Sequence, residues 1–204
     1  MFELFSSSHL LETLRDIGYI GIVLIVFAES GLFFGFFLPG DSLLFSAGLL
    51  ASQGFFDLST LIVFTSAAAI AGDNVGFLFG QSVGPRIFTR HDSLLFSKEH
   101  IRRARDFYEV HGPKALVLAR FVPIVRTFVP IVAGVGSMRY GLFIRYNIVG
   151  GIGWCAILSS LGFFLGTSIS DIDSYLLPIV SLIILVSFLP VIVEVVKARR
   201  KRRM

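Results

Sequence analysis

Charge is scarce in this sequence. Asp, Glu, Lys and Arg make up 16% of its 204 residues and hydrophobic residues 54%, against about 25% charged and about 45–50% apolar in an ordinary soluble domain. That apolar fraction is too large to hide behind a water-facing surface. It excludes a disordered tail, a secreted disulfide scaffold and a soluble cytosolic enzyme, and the chain reads as an integral membrane protein. Cysteine is limited to Cys155, so there is no internal disulfide and no multi-thiol metal site; within its apolar run it reads as a small buried residue. Histidine is equally sparse, and His9, His91, His100 and His111 lie outside the apolar runs without HExxH spacing. A G-x-S-x-G elbow and a P-loop are missing, since Gly72-Asp73-Asn74-Val75-Gly76 lacks the lysine and the spacing of a phosphate loop. No nucleophile sits beside a positioned base. The expectation is a protein that is not an enzyme, with no cofactor and no metal. A cleavable signal peptide is also not expected, because the first basic residue, Arg15, follows Glu3 and Glu12.

The charge that is present is unevenly spread. Lys197, Arg199, Arg200, Lys201, Arg202 and Arg203 crowd the last eight positions. The remaining 12 basic residues are outnumbered by 14 acids, so the +4 net charge belongs to the tail. This pattern argues for a positive-inside anchor and against a nucleic-acid partner.

A spanning helix needs about 20 apolar residues. Apolar stretches cover 17–51 (broken at Leu38-Pro39-Gly40-Asp41), 60–83, 115–137, 141–167 and 175–196. Residues 1–16 form a weak candidate for an interfacial helix. The long polar interval, 84–114, carries seven basic residues against four acids. It reads as helical from Ser97 to Tyr108 and cytoplasmic, like the C-terminal tail. The 168–174 link, with Asp171 and Asp173 and no base, belongs outside. Segment 115–137 then has Lys114 and Arg139 on its flanks, both needing the cytoplasm. A hairpin that dips in and returns satisfies this, with Pro123 and Pro130 breaking the helix. Segment 17–51 would be about 52 Å long as one helix, too long for one pass and short for two. It reads as a second, oppositely oriented hairpin, with the side of the N-terminus left open. Paired Gly/Pro-interrupted segments in inverted halves point to a transporter site. The fold expected is all-α and polytopic, one membrane domain over 1–204 with two re-entrant hairpins in an inverted repeat.

Five ionisable groups interrupt the apolar runs: Glu29, Asp41, Asp73, Arg120 and Arg126. Each costs about 2.5–3.5 kcal/mol at the membrane centre if unpaired. The acids lie in the first half and the arginines in the second, which favours contact between the halves. A guanidinium binds phosphate bidentately and stays charged when partly dehydrated. Arg120 and Arg126 diverge by about 240° on a regular helix, but unwinding at Pro123 lets them converge. Either they bind an anion, or they simply pair with Glu29 and Asp41. The carboxylates suit proton coupling, because burial raises their proton affinity and a neighbouring arginine lowers it. Asp41 could equally cap a helix from Ser42 onward. Ala68, Gly72, Gly76, Gly80 and Gly84 fall at four-residue steps, a smooth stripe read chiefly as helix packing. Asp73 beside it is either a packing residue or part of the site. The 22 phenylalanines suit long lipid tails or merely face lipid.

With these residues in view, the sequence resembles the DedA family, related to the VTT-domain (SNARE-associated Golgi) proteins. The matching pieces are Phe27-Ala28-Glu29-Ser30, Leu38-Pro39-Gly40-Asp41, Gly72-Asp73-Asn74-Val75-Gly76 and the run from Ala119 through Arg120, Pro123 and Arg126 to Thr127. Pro130-Ile131-Val132-Ala133-Gly134, Tyr146-Asn147 and Trp154 continue the likeness, which covers roughly residues 15–170. The resemblance implies two re-entrant hairpins and movement of lipids across the bacterial inner membrane. It implies undecaprenyl phosphate as cargo and dependence on the proton motive force, with the acids matching Glu29 and Asp41 and the arginines matching Arg120 and Arg126 essential. The resulting expectation is a flippase for an anionic lipid head group. Arg120 and Arg126 hold the phosphate, Glu29 and Asp41 couple protons, and Asp73 and Asn147 support them. A homo-oligomer is compatible with this reading. The rivals are a membrane scaffold, a lipid-phosphate enzyme and a cation/proton antiporter.

Overall fold

The computed structural model describes residues 7–31, 38–87 and 114–168, and the regular structure in them is entirely helical. In chain order, α1 spans Ser7–Gly31, α2 Gly40–Ser52, α3 Leu58–Ile87, α4 Lys114–Ala119, α5 Pro123–Val135 and α6 Tyr140–Ser168. The helix expected at 97–108, the run 175–196 and the basic tail lie outside the described residues.

Among the described residues two helices are long and apolar enough to cross a membrane, Leu58–Ser82 within α3 and Tyr140–Ser168. They match the runs read from the sequence at 60–83 and 141–167. Their 25 and 29 residues rise about 37 and 43 Å, more than the hydrocarbon thickness of about 30 Å. Large apolar side chains stand exposed along both, including Val63, Phe64, Leu78 and Phe79 on α3 and Val149, Ile157, Leu161 and Phe164 on α6. Lipid accepts such a surface; water does not. By contrast α2 and α5 have 13 residues each, about 20 Å, too short to cross.

Three expectations about breaks change. Residues 7–16 are not a separate interfacial helix: α1 runs unbroken from Ser7 into the apolar run, because no proline interrupts it and its glycines are tolerated. Pro123 opens α5, but Pro130 lies inside that helix. A proline there lacks the N–H that would otherwise reach the Arg126 carbonyl, yet it does not end the helix. Asp41 stands in the first turn of α2, whose cap position is Pro39, so it does not cap a helix starting at Ser42.

The chain divides into two compact units. One holds α1 to Ile25, α2, α3 to Phe64 and α6 from Ala156. Here Asp57 caps α3: its Oδ1 accepts the Thr60 N–H at 2.7 Å. Tyr19 on α1 grips the same residue, its hydroxyl accepting the Asp57 N–H at 2.8 Å and donating to the Asp57 carbonyl at 3.3 Å. The hydrogen bonds from Thr60 hold the Asp57 carboxyl below the usual carboxylate range. Helices α2 and α6 meet backbone against backbone. A Cβ at Gly48 would strike the main chain of Ser159, and one at Gly162 that of Phe45.

The other unit holds residues 26–31 of α1, α3 from Thr65, α4, α5 and α6 to Cys155. Its core gathers Phe77, Leu116, Ala133 and Phe143, with the rings of Phe77 and Phe143 stacked 4.3 Å apart. Here α3 and α5 touch by main chain, since a Cβ at Gly80 would strike Ile131 and one at Gly134 would strike Phe77. In both units each glycine faces the residue three positions before the partner glycine. Gly72 lies as close to α1, where a Cβ would sit 2.9 Å from Ser30 and 3.0 Å from the Gly31 nitrogen. The small-residue stripe is therefore a packing face, as the sequence suggested. Both short helices also end alike. The N–H of Phe55 bonds the Leu50 carbonyl at 3.1 Å and that of Met138 the Ala133 carbonyl at 3.0 Å, with Gly54 and Ser137 in the left-handed region.

Candidate functional site

The segment joining α4 to α5 positions two cations. Backbone N–H groups of Arg120, Phe121 and Val122 each bond the carbonyl three residues back, at 3.3, 3.1 and 3.0 Å. Val122 is then extended and caps α5, with Pro123 at the helix start. The proline ring is compatible with a first turn but not with continuation of α4. Arg120 thus sits in a break, and Arg126 enters α5 through its N–H bond to the Val122 carbonyl at 3.0 Å. The break foreseen at Pro123 is present, and it frees the two arginines from the divergence of a regular helix.

Arg120 is 7% exposed. It pairs with Asp73 on α3 and donates to Oδ1 of Asn147 on α6. The amide of Asn147 donates in turn to the Ile70 carbonyl at 3.1 Å, which also accepts from the Asn74 amide at 2.7 Å. Asn147 is thereby fixed with its oxygen toward the guanidinium. The aliphatic stem of Arg120 runs across two glycines of α6. A Cβ at Gly150 would lie 2.9 Å from Cδ of Arg120, and one at Gly151 3.7 Å from its Cζ.

Arg126 pairs with Glu29, close to the C-terminal end of α1, and its guanidinium carbon lies 4.5 Å from the ring centre of Trp154. Glu29 and Trp154 are each 2% exposed. Two acids and two bases so placed are mutually neutralised. Unpaired, the four would cost about 10–14 kcal/mol at the membrane centre.

Of the expected site residues, Glu29, Asp73, Arg120, Arg126 and Asn147 come together in one unit. Asp41 belongs to the other unit, half-buried in the first turn of α2. Glu29 is a partner of Arg126, as one reading of the charges had it. The carboxylate on Arg120 is Asp73, so a residue read as supporting is a direct ligand. The seat formed by Gly150 and Gly151 was not foreseen; adjacent glycines in an apolar helix were the signal. The ring under Arg126 could have been sought in the sequence's single tryptophan. Among the described residues no group of three His, Cys, Asp or Glu side chains could hold a metal ion. Chemically, the arrangement offers two guanidinium groups whose carboxylate partners can be neutralised by protons.

The VTT domain family model matches residues 38–164. The chain is 42% identical over 197 residues to Protein DedA of Escherichia coli K12, covering 94% of this chain and 90% of the relative. It is 40% identical over 185 residues to an uncharacterized membrane protein of Mycobacterium tuberculosis H37Rv, covering 90% and 81%. It is 32% identical over 160 residues to the inner membrane protein YqjA of Escherichia coli K12, covering 76% and 73%. No solved structure matches.

Proposed function

The chain belongs to the DedA family of VTT-domain membrane proteins, and on that premise we propose that it carries an anionic lipid head group, undecaprenyl phosphate or a phospholipid, across the bacterial inner membrane. The observation that carries this reading is the pair of arginines at a helix break, each neutralised by a carboxylate buried among apolar helices. A phosphate takes the place of a carboxylate on Arg126, and the displaced Glu29 leaves as a neutral acid. Anion binding and proton uptake are then one event, which couples transport to a pH gradient. The phosphate binds both arginines, and Asp41 is the second coupling carboxylate. The lipid tail stays in the bilayer while the head crosses, without bond breakage, so the protein acts as a carrier and not as an enzyme.

Two features support a re-entrant, inverted architecture. Helices α2 and α5 are too short to span, and each ends in a left-handed turn. The reciprocal glycine contact of α2 with α6 recurs between α5 and α3, with the same three-residue offset. That is what two related halves produce when each lends its short helix to the long helix of the other. With that architecture, the Lys/Arg bias of the sequence favours a cytoplasmic 84–114 loop and C-terminus.

A second reading, a scaffold whose buried ions fix the fold, draws on the complete pairing of both arginines in this state. Head-group translocation in proteoliposomes separates the two. Wild type is compared with Arg120→Ala and Arg126→Ala, with and without a pH gradient. The carrier reading expects loss of translocation in both variants and acceleration of the wild type by the gradient. Equal rates in variants that fold as well as wild type would sink it.

A further inference from the structure

We propose that the groove between α4 and the start of α6 is a docking site for an anionic lipid, from which its head group is handed to Arg120. The proposal rests on the anionic-lipid reading above and adds the place where the cargo is first held.

The groove encloses about 510 Å³ and its floor is apolar, formed by Val117 and Leu118 of α4 and by Leu142 and Val149 of α6. Two cations line it as well, Lys114 at the first residue of α4 and Arg145 on α6. Positions 142, 145 and 149 share one face of α6, and positions 114, 117 and 118 share one face of α4, by helical spacing. Each helix therefore shows the groove one cation beside an apolar strip. Both cations are exposed, and neither has an ion-pair partner among the described residues. Leu118 and Val149 are 69% and 62% exposed, so the strip is uncovered. A phosphate between the two exposed cations, with its hydrocarbon chain along the strip, satisfies both chemistries. A neutral lipid or an acidic protein segment satisfies only one.

The wall of the groove is also the seat of Arg120. Val117 lies within 3.4 Å of where a Cβ at Gly150 would be, and the Arg120 stem lies within 2.9 Å of the same point. Val117 thus borders both the groove and the glycine on which the Arg120 stem rests, which makes the groove a waiting position for the internal site.

Full-length protein in nanodiscs doped with phosphatidylglycerol bearing a diazirine on its acyl chain tests the idea, with phosphatidylcholine bearing the same chain as the comparison. After illumination, mass spectrometry maps the labelled residues. The acidic probe should label Leu118, Leu142 and Val149 about thirtyfold more than the zwitterionic one, the scale of two interfacial cations. Lys114→Glu with Arg145→Glu should abolish the preference at unchanged melting temperature. Equal labelling by both probes, or a preference that survives the double variant, overturns the proposal. So does cross-linking of a photoreactive residue at Leu118 to another part of the chain or to a second copy instead of lipid. Arg126→Ala separates this site from the carrier reading. Charge-dependent labelling that persists while Arg126→Ala transports like wild type upholds the groove and sinks the carrier. Loss of transport with charge-independent labelling does the reverse.

Discussion

The guanidinium carbon of Arg126 lies 4.5 Å from the ring centre of Trp154, while its nitrogen pairs with Glu29. The two partners differ in kind. The carboxylate can be neutralised by a proton, whereas the ring keeps its negative face at every pH. Arg126 therefore has a permanent support and a removable one. On the proposed carrier reading, that division is what would let an anion replace the carboxylate while the ring still holds the guanidinium.

Arg126→Lys tests the geometry of the anion contact. A lysine keeps the charge but loses the planar fork that meets two phosphate oxygens and stacks on an indole. Translocation should fall at least about tenfold, the equivalent of one lost charge-assisted hydrogen bond of about 1.4 kcal/mol or more. Melting of the purified variant should stay near wild type. Transport at the wild-type rate would mean that charge alone suffices.

Glu29→Gln removes the titrating group while keeping a side-chain oxygen beside Arg126. The rate should become insensitive to an imposed pH gradient. Stability should drop by less than the about 3–5 kcal/mol typical of breaking a buried pair, and inorganic phosphate should recover part of the loss by occupying the arginine. Thermal melts with and without phosphate, paired with gradient-driven transport, check both halves.

Gly150→Ala should be harmful and Gly153→Ala harmless. The first puts a methyl 2.9 Å from Cδ of Arg120, and the second meets nothing within 4 Å. Overpacking of this size costs about 1–3 kcal/mol, and it pushes Arg120 off Asp73 and Asn147. Comparing melting temperature and transport for the two variants isolates the arginine seat from helix propensity.

The glycine stripe makes a graded prediction along one helix. At Gly76 a new Cβ would stand 3.5 Å from Pro130 and Ile131, whereas at Gly80 it would run into the Ile131 main chain. Gly76→Ala should change stability by less than about 1 kcal/mol, and Gly80→Ala should cost about 3 kcal/mol or more. Yield of folded protein and unfolding in denaturant measure the difference.

Asp57 gives the pH dependence of the exposed end of α3. Its carboxyl titrates below the ordinary 3.8 because the Thr60 bonds favour the charged form. Its contribution to stability is present above that value and is lost as pH falls through the folded value. Hydrogen exchange at Thr60 and Leu61 should accelerate below about pH 3.8 and should do so at all pH values in Asp57→Ala. Exchange that stays slow in the variant would remove the cap from the account.

Much of this arrangement was legible because burying charge in hydrocarbon is expensive. That cost alone singled out Glu29, Asp41, Asp73, Arg120 and Arg126, and Pro123 showed where the helix between the arginines had to open. What stayed hidden was the partner of Arg120. Asp41 and Asp73 are both acids in apolar surroundings, and the one that reaches Arg120 is set by how α3 approaches the break. The effect of Pro130 also depended on tertiary context, since a proline ends a helix or bends it according to what surrounds the freed carbonyl. The adjacent glycines at 150 and 151 were visible in the sequence, but that they seat the Arg120 stem follows from its path in the fold.

Main chain resting on main chain, as at Gly80 with Ile131 and Gly134 with Phe77, leaves no side chain between the helices to re-sort. Sliding α5 past α3 by even one residue would drive a bulky side chain into peptide groups. This contact behaves as a ratchet tooth and holds the two helices as one body. On the proposed carrier reading, a motion that exposes the arginines to either face has to bend elsewhere, and the turn at 120–122, where the helical bonding is interrupted, offers one such place.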